Sequence, residues 1–242
     1  MDNLTAKVSC FARAYHYKNN PEHIFADDVA EKLLGNDYEL VAQSMSQGIS
    51  FFLPGFQGAP EEGLRLIVEK HLSPSVLGRS AFCESMLGNE KRLGCSQYVI
   101  FASGYDTFAI RNKDTSLSVF ELDLPEMLSD KQHRIEKAEL SSNATYVPCD
   151  LSDPTWKDKL IEAGFRPDRK SFASLLGISY YLAKEDFKSL LQALGSILRE
   201  GSAICFDYPT IEDSKESQTN QTLAAGAGEQ MKAQYSQDSM TK

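Results

Sequence analysis

The most constraining feature of the sequence is an alternation of short apolar runs with longer amphipathic stretches in its second part. The apolar runs cover residues 98–102, 117–122, 145–149, 172–179 and 203–208. Helical periodicity marks the stretches 124–140, 154–163 and 184–199 between them. Strands that alternate with helices form a parallel sheet, because right-handed crossovers place each helix over a face of that sheet. We therefore expect a doubly wound α/β core with a mostly parallel sheet.

The part of the chain before this alternation carries helical signals. Apolar residues recur there with helical spacing in two blocks, at Phe25, Val29, Leu33 and Leu34 and at Leu64, Ile67, Val68 and Leu72. With 242 residues, 42% of them hydrophobic, the chain is long enough for one α/β core and an added subdomain. We expect an N-terminal helical cap over residues 1–93 and the α/β core over residues 94–242.

Charge and composition exclude several classes of function. A net charge of -9 disfavours nucleic acid and anionic membranes as partners. The odd, scattered set of five cysteines and the four histidines predict neither a disulfide framework nor a metal site. The N-terminus lacks the pattern of a secretory signal, and no apolar run approaches the ~18 residues of a membrane span. We expect a cytoplasmic protein.

Two features at the ends of the first two predicted strands point to a bound nucleoside. In such sheets, ligands bind outside the carboxyl ends of the strands. Gly104 lies in a tight turn after the first strand, where it serves either a ligand or an ordinary strand-to-helix connection. Asp123 follows the second strand nineteen residues later, where a carboxylate can accept both hydroxyls of a ribose. Glu121 lies on the same side of that strand, so either acid is a candidate.

Polar and aromatic residues also follow the third and fourth predicted strands. Asp150 ends the third strand and is followed by Leu151; it either contacts a ligand or caps the next helix. Tyr180 and Tyr181 lie beyond the fourth strand, where they line a substrate pocket or serve as core or rim aromatics.

An ordered set of segments resembles the leucine carboxyl methyltransferase family. These segments are VSCFARAYH, GRSAF, YVIFASGYDTFAIR, VFELDLP, YVPCDLSD and FDY, and together they span nearly the whole chain. The family belongs to the class I S-adenosylmethionine-dependent methyltransferases and has a bacterial branch described as polyketide-associated O-methyltransferases. The resemblance implies S-adenosylmethionine as the cofactor, bound by the core with carboxylate contacts from the cap.

The resemblance also implies roles for individual residues. Arg79 would pair with the methionine carboxylate of the cofactor, which a planar guanidinium holds well, although on sequence alone it reads as a surface arginine. Lys7 would approach the same carboxylate, with Arg13 as a nearby competitor. Asp150 would contact the adenine amino group, and Leu151 would pack on the adenine ring.

The sequence departs from the family pattern at three places. Ala102 replaces the first glycine of Gly-x-Gly, and because alanine tolerates strand geometry we expect reduced clearance without loss of binding. Leu176 stands where the family commonly has a glutamate. The family's two further C-terminal strands have no counterpart in this sequence. Their absence predicts either an exposed sheet edge that is prone to self-association or a mobile C-terminal portion. The helix predicted over 223–235 would then have no sheet surface to cover.

Methyl transfer from a sulfonium is an in-line displacement that depends mainly on alignment of donor and acceptor. A carboxylate acceptor needs no base, whereas a hydroxyl does. Since no histidine is clearly placed as a base, we expect an O-methyltransferase that favours a carboxylate over a hydroxyl, on a small molecule or a protein C-terminus. The alternatives are a non-catalytic S-adenosylmethionine-binding protein and a nicotinamide-dependent oxidoreductase. An oxidoreductase of that type would need the motif G-x-G-x-x-G after the first strand, and residues 102–107 do not contain it.

Overall fold

The core of the protein is a five-stranded parallel sheet in the order β3-β2-β1-β4-β5. The computed structural model describes residues 3–210 and 231–236. The strands are β1 (Gln97–Phe101), β2 (Ser118–Asp123), β3 (Ala144–Pro148), β4 (Ser171–Leu175) and β5 (Ala203–Phe206). The predicted doubly wound α/β architecture is confirmed. The fourth apolar run overshoots its strand, because Gly177 takes a φ of +75° and turns the chain away.

The order of the strands creates a switch point at β1. This strand pairs with β2 on one side and with β4 on the other, so that Phe101 lies opposite both Leu122 and Leu175. The chain winds from β1 through β2 to β3 and then crosses back to β4. The crevice for a ligand in such a sheet opens at the carboxyl ends of the strands on either side of this switch point.

Helices from both parts of the chain cover the sheet. The helices that follow the strands are α7 (Phe108–Arg111), α8 (Pro125–Lys137), α9 (Trp156–Glu162) and α10 (Lys184–Gly195). Trp156, Leu160 and Phe187 pack on one face of the sheet with Phe101 and Leu175. The other face packs against α6 (Ser73–Arg92), which belongs to the sequence-defined cap.

The rest of the cap is a cluster of short helices. They are α1 (Leu4–Asn19), α2 (Ala30–Leu34), α3 (Asp37–Gln47), α4 (Ile49–Phe52) and α5 (Pro60–Ile67), followed by a π-helical turn (Val68–Leu72) that runs into α6. Phe11, Leu33 and Ile67 form its buried centre. Phe25 is buried but precedes α2, and Asp27 accepts the backbone N–H of Ala30, the first residue of that helix, at 3.1 Å.

The end of the described chain folds back over the loops after β4 and β5. Tyr235 forms a parallel bridge with Thr210, is 4% exposed and donates its hydroxyl to the Ser179 carbonyl at 3.3 Å. The helix predicted over 223–235 is wrong for residues 231–235, which extend to reach this bridge; residues 223–230 lie outside the described residues. Among the strands of the described residues, β5 pairs with β4 only. Self-association through its free edge stays a prediction.

Within residues 3–210 and 231–236, no helix has the length and apolar character needed to traverse a bilayer. The same residues hold no cluster of three or more histidine, cysteine, aspartate or glutamate side chains arranged for a metal. The five cysteines are buried free thiols.

Candidate functional site

A cavity of about 1030 Å³ opens at the carboxyl ends of the strands, between the sheet and the cap. The turn after β1 and the end of β2 form one side of it, and the chain after β4 and β5 forms another. Helices α1 and α6 and the π-helical turn close it from the cap. This is the place where a doubly wound sheet binds its ligand.

The turn after β1 is left-handed at two positions. Ala102 and Gly104 both take a φ of +48° and both line the cavity. The expectation that Ala102 keeps strand geometry is therefore wrong, since this backbone conformation costs an L-residue about 1–2 kcal/mol. A Cβ atom at Gly104 would lie 3.4 Å from the Ala6 side chain, which is an ordinary contact distance, so the positive φ and not a lack of space favours glycine there.

Asp123 faces the cavity from the end of β2. Its Oδ2 accepts the N–H of Gly104 and its Oδ1 accepts the N–H of Leu124, both at 2.8 Å. One bond to each oxygen leaves lone pairs on both, which is what two neighbouring ribose hydroxyls require. Burial raises the pKa of Asp123, and the two backbone bonds oppose that rise.

Glu121, the other candidate acid, lies away from the cavity. It is fully buried and forms an ion pair with Lys131 of α8 at 2.5 Å. Burial raises the pKa of Glu121, and the Lys131 ammonium opposes this. Both acids lie on one side of β2, but only Asp123 lines the cavity, and its role toward a ribose stays a prediction.

Arg79 projects from α6 into the cavity and not onto an open surface. Its Nη1 donates to the Tyr180 hydroxyl at 2.7 Å and to Asp207 Oδ2 at 3.1 Å. Its Nε and Nη2 make no hydrogen bond with the described residues, which leaves a pair of donor groups for a carboxylate. A Cβ atom at Gly177 would lie 3.0 Å from Nη2, so a larger residue at this position would crowd the guanidinium.

Asp207 was not assigned a role from the sequence, although it lies in the segment FDY. Besides its ion pair with Arg79, its Oδ1 accepts the N–H of Gly177 at 2.6 Å. It therefore joins the chain after β5 to the chain after β4, and its contact with Nη1 orients the Arg79 guanidinium. Asp207 directly follows the last residue of β5, and an acid at the carboxyl end of a predicted strand was the available signal.

Three of the predicted cofactor residues do not line the cavity. Lys7 pairs with Asp37, the first residue of α3, at 3.2 Å. Asp150 is exposed and accepts the N–H and hydroxyl of Ser152 at 2.8 and 2.7 Å. These bonds form a local turn ahead of α9, and the expectation that Asp150 caps that helix is wrong, because Thr155 is the residue that precedes its first turn. Leu151 packs against the core beneath α9 and α10. Their roles toward the cofactor stay predictions.

Arg13 lines the cavity, but its guanidinium is engaged by the protein. Its Nε donates to Asp27 Oδ2 at 2.8 Å and its Nη2 donates to the Tyr105 carbonyl at 2.6 Å. Thr107 also donates to Asp27, at 2.7 Å. This buried network ties α1 to the turn that carries Gly104, so Arg13 supports the turn and is not available as a competitor for the carboxylate.

Aromatic and aliphatic side chains also line the cavity. Tyr180 and Tyr181 line it from the chain after β4, with ring centroids 4.9 Å apart, and Leu176 lines it as well. His71, from the π-helical turn, lines it as well and contacts the Phe52 ring at 5.7 Å. The sequence did not single out His71, because its placement depends on how the cap packs over the sheet.

A parallel sheet of this order, with a left-handed glycine turn after β1 and an acid from the end of β2 in the cavity, defines an α/β protein of the class I methyltransferase type. The leucine carboxyl methyltransferase model matches residues 6–195. The chain belongs to the leucine carboxyl methyltransferase family. It is an S-adenosylmethionine-dependent methyltransferase, and its cofactor is S-adenosylmethionine. The oxidoreductase alternative is thereby excluded.

Relatives of known sequence agree with this assignment, and a solved structure shares the fold. A protein of Bacillus subtilis (strain 168), named "Putative S-adenosyl-L-methionine-dependent methyltransferase YktD", is 37% identical over 96% of this chain and 81% of its own length. A Frankia alni protein of similar name is 33% identical over 54% of this chain and 47% of its own length, so the chain spans about half of that relative. A duf574 family protein from Streptomyces avermitilis shares the fold, with a TM-score of 0.55 and 16% identity over 81% of this chain and 80% of the other.

Proposed function

We propose that the chain is an O-methyltransferase whose acceptor is a small, largely apolar molecule. The observation that carries this proposal is the continuity of the cavity. The same cavity that holds Gly104 and Asp123 extends to apolar side chains of the cap, which are Val41, Met45, Phe51, Phe52, Leu72 and Val76. A volume of about 1030 Å³ lies at the upper end of the range of small-molecule sites, which suits a cofactor and an acceptor together.

The polar residues support one placement of the cofactor. Asp123 would accept the ribose hydroxyls, and Arg79 would hold the methionine carboxylate with Nε and Nη2. Ala102 and Gly104 would let the cofactor pass close to the backbone. Three further roles are proposed from the family resemblance alone: Lys7 near the carboxylate, and Asp150 and Leu151 at the adenine ring. Tyr180 and Tyr181 would line the acceptor side.

The cofactor supplies an activated methyl group whose leaving group is a neutral thioether. The protein binds the two reactants, aligns them and keeps water out, and such alignment alone can supply about 7–11 kcal/mol of the barrier. The cap helices provide the apolar wall for this purpose, and the network around Asp27 holds the cap against the cofactor turn.

The experiment is an assay of S-adenosylhomocysteine release with S-adenosylmethionine and a panel of acceptors. The panel contains apolar phenols and alcohols, apolar carboxylic acids, and a peptide that ends in leucine. We expect methylation of small apolar molecules. Transfer to the peptide alone would favour a protein C-terminus as the substrate, and cofactor binding without transfer to any compound would favour a non-catalytic binding protein. A reaction without S-adenosylmethionine is the negative control for cofactor-dependent release.

A cytoplasmic location and the exclusion of nucleic acid and membranes as partners stay predictions that rest on charge and composition. Self-association through the β5 edge is proposed on the same terms, because that edge carries unpaired backbone groups among the described residues. Light scattering at several protein concentrations tests it.

A further inference from the structure

One face of the π-helical turn and of the first part of α6 runs along the whole cavity. The lining residues of this face recur with helical spacing and are His71, Leu72, Ser75, Val76, Arg79 and Ser80. His71 precedes Arg79 by eight residues, which corresponds to roughly 12 Å along a helix axis. Arg79 therefore lies at the cofactor end of this face, and His71 lies at its other end, among the apolar side chains of the cap.

The helix is irregular where it carries this histidine. His71 lies in the π-helical turn Val68–Leu72, between α5 and α6. Such turns are rare and occur often at functional sites, because the wider turn re-aims the side chains that it carries. Here the turn brings His71 beside Phe52, and both rings line the cavity.

No other histidine of the described residues lines the cavity. His16 and His23 contact each other near the end of α1, with ring centroids 5.9 Å apart. His133 is exposed on α8. Of the four imidazoles in the chain, only that of His71 can therefore meet a molecule held against the apolar wall.

The acids of the cavity are already committed or stand away from that wall. Asp123 accepts two backbone N–H groups, and Asp207 holds Arg79 and the N–H of Gly177. Asp106 accepts the N–H of Phe108 at 2.7 Å. Glu126 is exposed in the first turn of α8, on the side of Asp123. Each of these acids belongs to the cofactor side or to the turns that build it.

We propose that His71 is the general base of the reaction and that the acceptor group is therefore a hydroxyl on an apolar molecule. An oxygen lone pair of the hydroxyl forms the new C–O bond, and the electrons of the breaking C–S bond stay on sulfur, which becomes neutral. The hydroxyl proton goes to the imidazole of His71 and then to solvent. The role of His71 rests on the proposed function, because it requires a small apolar acceptor bound in this cavity.

The test compares His71→Gln with His133→Gln, a matched change at a histidine outside the cavity. Calorimetry with S-adenosylhomocysteine checks that both variants keep the fold and the cofactor site, and we expect both affinities to stay within twofold of the parent. Methyl transfer is then measured with phenol, with the more acidic 4-nitrophenol and with 3-phenylpropionate. We expect His71→Gln to lower kcat for phenol by about 10²–10⁴-fold and for 4-nitrophenol by much less, because a more acidic hydroxyl needs less help from a base.

A second readout does not depend on turnover. In the complex of the parent protein with S-adenosylhomocysteine, bound 4-nitrophenol is expected to show a larger nitrophenolate absorbance than in the same complex of His71→Gln, because His71 takes the phenol proton. Unchanged phenol methylation in His71→Gln, equal losses for both phenols, or transfer to 3-phenylpropionate and to no hydroxyl would overturn the proposal. That last result would leave the proposed function standing, whereas a parent protein that binds the cofactor and methylates only the leucine peptide would overturn the proposed function itself.

Discussion

Replacement of Asp27 by alanine should destabilise the protein strongly, although this residue lies outside the cavity. The Asp27 side chain is fully buried between α1, α2 and the turn after β1. Its Oδ2 receives Arg13 Nε at 2.8 Å and the Thr107 hydroxyl at 2.7 Å, and its Oδ1 receives the N–H of Ala30 at 3.1 Å. Alanine would leave three buried donors without this acceptor, one of them a guanidinium.

The cost follows from what remains buried after the change. Removal of one partner of a buried ion pair leaves an uncompensated charge and costs about 3–5 kcal/mol. For a chain of this length, each kcal/mol lowers Tm by about 2–4 °C, so the Tm of Asp27→Ala should fall by about 6–20 °C. The affinity for S-adenosylhomocysteine should fall too, because Arg13 would no longer be held against the Tyr105 carbonyl beside Gly104.

Chemical denaturation and calorimetry measure both effects. Asp28→Ala is the matched control, because Asp28 is the exposed neighbour of Asp27 and its loss should change the free energy of unfolding by less than about 0.5 kcal/mol. Asp27→Asn keeps an acceptor oxygen and removes the charge, so its loss of stability should be intermediate. A loss below about 1 kcal/mol for Asp27→Ala would refute the view that a buried ion pair holds the cap to the cofactor turn.

Three further changes test the cofactor site. Asp123→Ala should weaken binding of S-adenosylhomocysteine by at least about 1 kcal/mol in calorimetry, because the ribose loses charge-assisted hydrogen bonds. Glu121→Gln should lower the free energy of unfolding and leave that affinity nearly unchanged. A larger loss of affinity in Glu121→Gln than in Asp123→Ala would contradict the choice of acid. Arg79→Lys should lower the affinity for S-adenosylhomocysteine more than the affinity for 5′-methylthioadenosine, which lacks the carboxylate, because an ammonium cannot form two parallel hydrogen bonds to that group. Equal losses of affinity for the two ligands would indicate that Arg79 has a structural role. Ala102→Gly should raise the free energy of unfolding by up to about 1 kcal/mol in urea denaturation, since relief of left-handed strain exceeds the added chain entropy; a clear loss of stability would contradict the left-handed backbone.

The layered architecture and part of the site could be predicted from the sequence because they depend on local patterns. Periods of burial distinguish strands from helices, so the five runs coincide with the five strands to within a few residues. The spacing of Gly104 and Asp123 predicts their meeting, since the ends of adjacent parallel strands lie at the same edge. Arg79 was identified through the segments that resemble the family, because its local sequence alone did not indicate a position in the cavity.

Only the tertiary structure decided which polar groups remain available to a ligand. Alternation along β2 makes Asp123 and Glu121 equivalent candidates. The packing of α8 distinguishes them, because Lys131 of that helix forms its ion pair with Glu121 and not with Asp123. Arg13 is occupied by Asp27 and by a carbonyl that is 92 residues away in the chain. The same holds for His71, which reaches the cavity through an irregular turn and the packing of the cap. Periodicity determines which face of an element is buried, but the partner of a buried charge depends on how distant elements are brought together, and no local pattern carries that information.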